Sequence, residues 1–120
     1  MSDRILYIDD EADIREIAQM ALELDPAYAV RTARSGREGI AVAHDWVPAL
    51  ILLDVMMPEL DGPTVLGLLR EDSVTSEIPI VFITARTQAQ EVAHLRALGA
   101  RGVIAKPFDP MALAGQVRDL

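Results

Sequence analysis

Three acidic side chains stand where apolar runs give out. Asp54 closes Leu50-Ile51-Leu52-Leu53 and opens the string Asp54-Val55-Met56-Met57-Pro58-Glu59-Leu60-Asp61-Gly62. Asp9 and Asp10 close Ile5-Leu6-Tyr7-Ile8 in the same way. If the two runs are neighbouring strands of a parallel sheet, the three carboxylates converge on one point. At ~4 Å and an effective dielectric of ~20, each such pair repels by roughly 4 kcal/mol. Packing alone seldom justifies that cost. The pattern points to a divalent-metal site with a nucleophile in it, and Lys106, at the end of the apolar run Gly102–Ala105, supplies an opposing charge.

These residues need a scaffold that lines up strand ends. Short apolar runs alternate with amphipathic stretches five times, without a long linker or a low-complexity segment. After Arg4–Ile8, a helix from about Ala12 to Leu24 places Ile14, Ile17, Ala18, Ala21 and Leu22 on one face, and Asp25-Pro26 stops it. A strand near Tyr28–Thr32 leads to Ser35-Gly36-Arg37-Glu38, a capping box that opens a helix to about His44. Leu50–Leu53 is continuously apolar, as a central strand covered on both faces must be. Asp61-Gly62-Pro63 starts a helix with Val65, Leu66, Leu68 and Leu69 inward. The strand Ile80–Ile83 ends at Thr84, and Thr87 with Gln90 forms a second capping box. Its helix turns Val92, Leu95 and Leu98 inward and ends at Gly99. Asp109-Pro110 starts the last helix, with Met111, Leu113, Ala114 and Val117 facing in.

Five β-α units with short connections predict an α/β fold: one doubly wound (βα)5 domain over residues 1–120, with helices on both faces. The flavodoxin-like strand order 2-1-3-4-5 puts the switch point between the first and third strands, where ligands bind. Asp9, Asp10, Asp54, Thr84 and Lys106 then share one rim.

Composition narrows the function. At 120 residues the chain suits a single core, and the absence of cysteine excludes disulfide and thiolate chemistry. A net charge of −8 with scattered basic residues argues against direct nucleic-acid binding. No apolar run approaches the ~20 residues that span a bilayer. Met1-Ser2-Asp3-Arg4 shows no signal-peptide pattern, so a cytoplasmic protein without membrane attachment is expected.

The chain resembles the receiver domain of bacterial response regulators over essentially its whole length. The resemblance rests on Asp9-Asp10, Asp54 with Met57-Pro58 and Asp61-Gly62 behind it, Thr84-Ala85, and Lys106-Pro107-Phe108, in order at successive strand ends. It implies that Asp54 accepts a phosphoryl group from a phosphohistidine on a sensor histidine kinase or a histidine phosphotransfer protein. It implies Mg²⁺ bound by Asp10, Asp54 and the backbone carbonyl of Met56, with Asp9 acting through water. Thr84 and Lys106 would contact the phosphoryl oxygens, and the Lys106–Pro107 bond should be cis. Such a protein catalyses only its own phosphorylation and dephosphorylation and is not an enzyme with an external substrate. It switches conformation to control a partner, as a monomer or weak dimer, standing alone or as part of a longer regulator.

The chain departs from the family at Val103, where many receivers carry an aromatic residue that turns inward. Valine has no ring to swing and is stiff at its one side-chain torsion. Competing chemistries fit less well. A phosphatase of the haloacid-dehalogenase type needs a second carboxylate two residues after the nucleophile, where Met56 stands. A flavin or nucleotide binder needs a phosphate-accepting first loop, which Asp9-Asp10-Glu11 would repel. His44 and His94 read as surface residues without a matching acid, and Trp46, near Pro48, as packing at the domain edge.

Overall fold

A computed structural model describes residues 3–120. Met1 and Ser2, part of the expected 1–120 domain and of the stretch read for a signal peptide, lie outside the described residues. The elements alternate without interruption: β1 Asp3–Ile8, α1 Ala12–Glu23, β2 Tyr28–Ala33, α2 Gly36–Trp46, β3 Leu50–Asp54, α3 Gly62–Glu71, β4 Ile80–Thr84, α4 Ala89–Ala97, β5 Gly102–Ala105 and α5 Leu113–Arg118. All strand pairings are parallel, in the order β2-β1-β3-β4-β5 expected from the sequence.

Strand alternation divides the core into two layers. Leu6, Ile8, Ile51, Leu53, Ile80 and Phe82 face α2, α3 and α4, packing with Ala43, Val65, Leu69 and Leu95. Ile5, Tyr7, Leu52, Val81, Ile83 and Ile104 face α1 and α5, packing with Ala18, Leu22, Leu113 and Val117. The central strands are buried on both sides, which is why their sequences show no polar alternation.

Local signals explain most helix starts. Asp61 accepts the Thr64 amide at 2.9 Å, and Ser35 accepts the Glu38 amide at 3.1 Å. Glu38 completes its half of the box one residue early, receiving the Arg34 amide at 3.1 Å. The second expected box does not form: α4 begins after Gln88, with no side-chain cap. α5 starts later than Asp109-Pro110 suggests, because those residues form a turn in which Asp109 accepts the Met111 amide at 2.9 Å. Met111 is therefore exposed, as are Ile17, Leu68 and Leu98. Ile17 and Leu68 lie on the flank of their helices' apolar stripes, and Leu98 sits beyond the end of α4.

Trp46 packs at the edge of the α2–α4 layer as expected, and two cations cover it. The Arg31 and Arg4 guanidinium carbons lie 4.7 Å and 5.8 Å from its ring centroid. Val47 then ends α2 in the left-handed region, with φ 49° and ψ 67°, its amide bonded to the Ala43 carbonyl at 2.9 Å. A β-branched residue is costly there, and its exposed side chain offers little packing in return. Val47→Asn keeps the backbone geometry with a residue that tolerates it. It should stabilise the domain by about 1 kcal/mol, read as a higher urea midpoint with an unchanged slope. A lower midpoint would show that the valine side chain contributes more than its backbone costs.

Candidate functional site

Register decides which side chains meet. Ile8 pairs with Leu53, Leu53 with Phe82, and Phe82 with Val103. One residue further along, Asp9 and Asp54 come level with Ile83 and Ile104 and share their α1/α5 side of the sheet. Lys106, two residues past Ile104, returns to that side. Thr84 falls on the opposite side, toward α4.

The distances follow. Carboxylate oxygens of Asp9, Asp10 and Asp54 all lie within 4.8 Å of one another. Lys106 Nζ is 3.1 Å from Asp9 Oδ2, 3.5 Å from Asp54 Oδ2 and 3.4 Å from Glu11 Oε1. Asp9, Asp54 and Thr84 are buried, whereas Asp10 is exposed at the rim. An open cleft of about 430 Å³ lies above them, lined by Asp54, Thr84, Lys106, Glu11, Met56 and Arg86 among others. The Lys106–Pro107 bond is cis. All five side chains read from strand ends thus reach one rim, and Met56 follows in the exposed loop after β3.

Three further residues hold the site; the sequence reading used Glu11 only as part of an acidic first loop and gave Tyr7 and Arg15 no role. Tyr7 is fully buried, and its hydroxyl donates to Asp9 Oδ2 at 3.2 Å. The Glu11 amide donates to Asp9 Oδ1 at 2.9 Å, and Arg15 Nη1 donates to the Asp9 carbonyl at 2.8 Å. Tyr7 carried a usable signal: it precedes Asp9 by two strand positions, so alternation puts both on one face. Glu11 and Arg15 are spaced to lie above each other at the start of α1. Thr84 Oγ1 accepts the Arg86 amide at 3.0 Å, a bond that uses an oxygen lone pair and leaves the hydroxyl proton uncommitted to it.

Backbone proximity behind the site requires glycine at position 62. A Cβ there would stand 2.6 Å from the Asp54 carbonyl oxygen and 2.9 Å from Val55 Cα. The Gly62 amide meanwhile donates to the Val55 carbonyl at 2.8 Å, closing the loop against the strand. Any side chain would push on the backbone of Asp54 itself.

Burial, then the charge of Asp9, raises the Asp54 carboxyl to about 6 against the opposing pull of Lys106. Partial burial works against the Lys106 ammonium. The hydrogen bond to Asp9 and the charges of Asp54, Asp9 and Glu11 outweigh it and hold the amine above its ordinary value. Burial and Asp9 together push the Tyr7 phenol up, so it keeps its proton. The donor set fits a hard cation. Its side-chain donors are carboxylates, the oxygen ligands a hard divalent cation prefers, and their oxygens all lie within 4.8 Å of one another.

Residues 5–118 match the family described as response regulator receiver domain. The chain belongs to that family. It is 39% identical over 117 residues to the DNA-binding dual master transcriptional regulator RpaA of Synechocystis, covering 98% of this chain and 48% of that protein. It is 41% identical over 122 residues to the response regulator PleD of Caulobacter vibrioides, covering 100% of this chain and 26% of that one. Among solved structures, the Vibrio cholerae chemotaxis protein CheY4 superposes with a TM-score of 0.90 at 31% identity, covering 99% of this chain and 98% of that one. The chain spans about half or less of the curated relatives it matches. As a receiver domain it is a module of two-component signal transduction, a signalling domain and not a turnover enzyme. No helix among the described residues is long and apolar enough to cross a membrane.

The raised Asp54 carboxyl predicts an unusual pH dependence of stability in metal-free buffer. Because the folded state binds this proton more tightly than the unfolded chain, the contribution of Asp54 is greatest below pH ~4 and declines as pH rises through about 6. Asp54→Asn removes that decline. The variant should exceed the unmodified protein by about 3 kcal/mol above pH ~6.5 and match it near pH ~4. Urea titrations in chelator across that range check it; parallel profiles for the two proteins would contradict the assignment.

Proposed function

We propose that Asp54 is the phospho-acceptor of this receiver and that Thr84 and Lys106 complete its reaction site. The single observation that carries the reading is a nearly buried carboxylate at the end of β3, set between Asp9, Asp10 and the Lys106 ammonium under an open cleft. An Asp54 oxygen attacks the phosphorus of a phosphohistidine. The P–N bond breaks, its electron pair leaves on the imidazole nitrogen, and that nitrogen takes a proton. Carboxylate attack brings two anions together, so the residues present chiefly position groups and offset charge. Lys106 keeps a positive charge beside the attacking oxygen. Thr84 donates its hydroxyl proton to a phosphoryl oxygen, a contact available only after transfer.

Asp10, Asp54 and the Met56 carbonyl would hold Mg²⁺, with Asp9 acting through a water. When bound, the ion would supply positive charge that offsets the carboxylates and an incoming phosphoryl group. The donors in this scheme are a sensor histidine kinase or a histidine phosphotransfer protein, acting on the whole of residues 1–120 as one domain in the cytoplasm. The domain promotes its own phosphorylation and dephosphorylation, binds no nucleic acid itself, and works as a monomer or weak dimer.

Because the Thr84 contact exists in one state only, it shifts the domain between two conformations. The loop after β4 and the helix α4 are the parts suited to move. α4 lacks a side-chain cap and fully buries only Leu95. The same Thr84 borders a groove of about 530 Å³ between Pro63 and the α4 residues Glu91, His94 and Leu95.

Incubation with acetyl phosphate and Mg²⁺, followed by intact-protein mass measurement, tests the acceptor. One phosphoryl adduct is expected, absent in Asp54→Asn and after chelation, and at least ~10-fold slower to form in Lys106→Ala, since charge offset of this kind is typically worth about 10²–10³. An adduct that persists in Asp54→Asn would overturn the assignment.

A further inference from the structure

Tyr7 is a fully buried core side chain that carries a hydroxyl, and nothing in the proposed reaction uses it. It sits in the middle of Ile5-Leu6-Tyr7-Ile8, where phenylalanine would fill nearly the same volume. A buried hydroxyl costs about 1–3 kcal/mol unless it is hydrogen-bonded. Its partner here is Asp9 Oδ2, at 3.2 Å. That oxygen also receives Lys106 Nζ at 3.1 Å, while Asp9 Oδ1 receives the Glu11 amide at 2.9 Å.

A carboxylate offers about four lone-pair positions. Three donors occupy Asp9, two on Oδ2 and one on Oδ1, so its plane is fixed and about one position remains, on Oδ1. The ring is fixed as well. Tyr7 meets Phe108 edge to face, with centroids 6.4 Å apart and planes at 65°. Phe108 follows Lys106 and Pro107, so one side chain touches both the Asp9 carboxylate and the segment that carries the cation.

We propose that Tyr7 is a positioning residue for the metal site: its hydroxyl sets the orientation of the Asp9 carboxylate toward a divalent cation, and its seat on Phe108 holds that carboxylate in register with Lys106. The inference rests on the reading of Asp9, Asp10 and Asp54 as a cation site and deepens it. A purely packing tyrosine would leave cation affinity indifferent to the hydroxyl. A positioning tyrosine makes affinity fall while the chemistry at saturating cation is untouched, because Tyr7 reaches neither Asp54 nor the phosphoryl group.

Tyr7→Phe removes one oxygen and keeps the ring on Phe108. Tyr28→Phe, in β2 and away from the site, is the control for losing a tyrosine hydroxyl from the sheet. Calorimetric titration of each folded protein with Mg²⁺ and with Mn²⁺ reads affinity without any phosphodonor. Loss of an outer-shell partner typically costs 10–100-fold, and Tyr7 acts on the ion only through Asp9 and its water, so Tyr7→Phe should weaken both cations at the low end of that range, by about 10-fold, and Tyr28→Phe by less than about twofold. In a separate acetyl phosphate assay, Tyr7→Phe should raise the Mg²⁺ concentration for half-maximal labelling by a similar factor, with the plateau rate within about twofold. Unchanged affinity in Tyr7→Phe, with or without a lower melting temperature, would overturn the proposal, as would an unmodified protein that binds neither cation. A protein that binds cations in a Tyr7-dependent way yet is never labelled would overturn the acceptor reading and leave Tyr7 in its role.

Discussion

One ammonium among four carboxylates is the constraint around which this domain is arranged. Lys106 touches Asp9, Asp54 and Glu11, and Asp10 stands at the same rim. Asp9 and Asp54 are buried, so their repulsion is poorly screened and their solvation largely lost. The sheet brings them together regardless, because β1 and β3 must pair to close the core and both end at the same level. A lone lysine offsets only part of that charge. The remainder is a standing preference for another cation, and it is carried by the fold and not by any flexible element.

The same register splits the site between two layers. Asp9, Asp54 and Lys106 continue the α1/α5 side of the sheet, over Tyr7 and Leu52, while Thr84 continues the α2–α4 side, over Phe82. A group bonded to Asp54 and held by both Lys106 and Thr84 would therefore straddle the sheet's edge. Its arrival would be felt in both layers at once, although only one layer holds the nucleophile. The layers are not equally firm. α1 buries Ala18, Ala21 and Leu22 and follows β1 through the hydrogen bonds of Asp9, whereas α4 buries Leu95 alone.

How much of this was legible in the residues depended on whether the signal was periodic or relational. Strand ends were readable because continuous apolar runs stop abruptly at Asp9, Asp54, Thr84 and Lys106. The fold followed from their alternation with helical stretches. Caps were readable when the geometry demanded them, as at Ser35 and Asp61, and misleading at Thr87, where the chain needed an extended turn instead. Faces were misjudged at Ile17 and Leu68, because a helix lying on a flat sheet buries a narrower stripe than hydrophobicity alone suggests. Long-range polar partners were invisible. His44 meets Asp72 at 2.7 Å across the α2–α3 surface, a pairing that no local spacing announces. Tyr7 was missed for a different reason: within an apolar run its ring accounts for its presence, and only strand alternation ties it to Asp9.

The absence of a ring at Val103 then changes what a state-dependent contact at Thr84 can move. Val103 is packed against the α2–α4 layer and has no ring, so Thr84 has no aromatic neighbour there with which to exchange places. What Thr84 does hold is the Arg86 amide. Turning its hydroxyl toward a phosphoryl oxygen reorients the lone pair that accepts that amide, and the loop from Arg86 to Gln88 leads directly into the uncapped start of α4. In this chain the conformational response would be a backbone event in that loop. The aromatic pair it does possess, Tyr7 with Phe108, lies in the other layer and is tied to Asp9. Cation occupancy would thus act on the Asp9 side of the sheet, whereas a phosphoryl group on Asp54 would be felt on both sides, through Lys106 on one and Thr84 on the other.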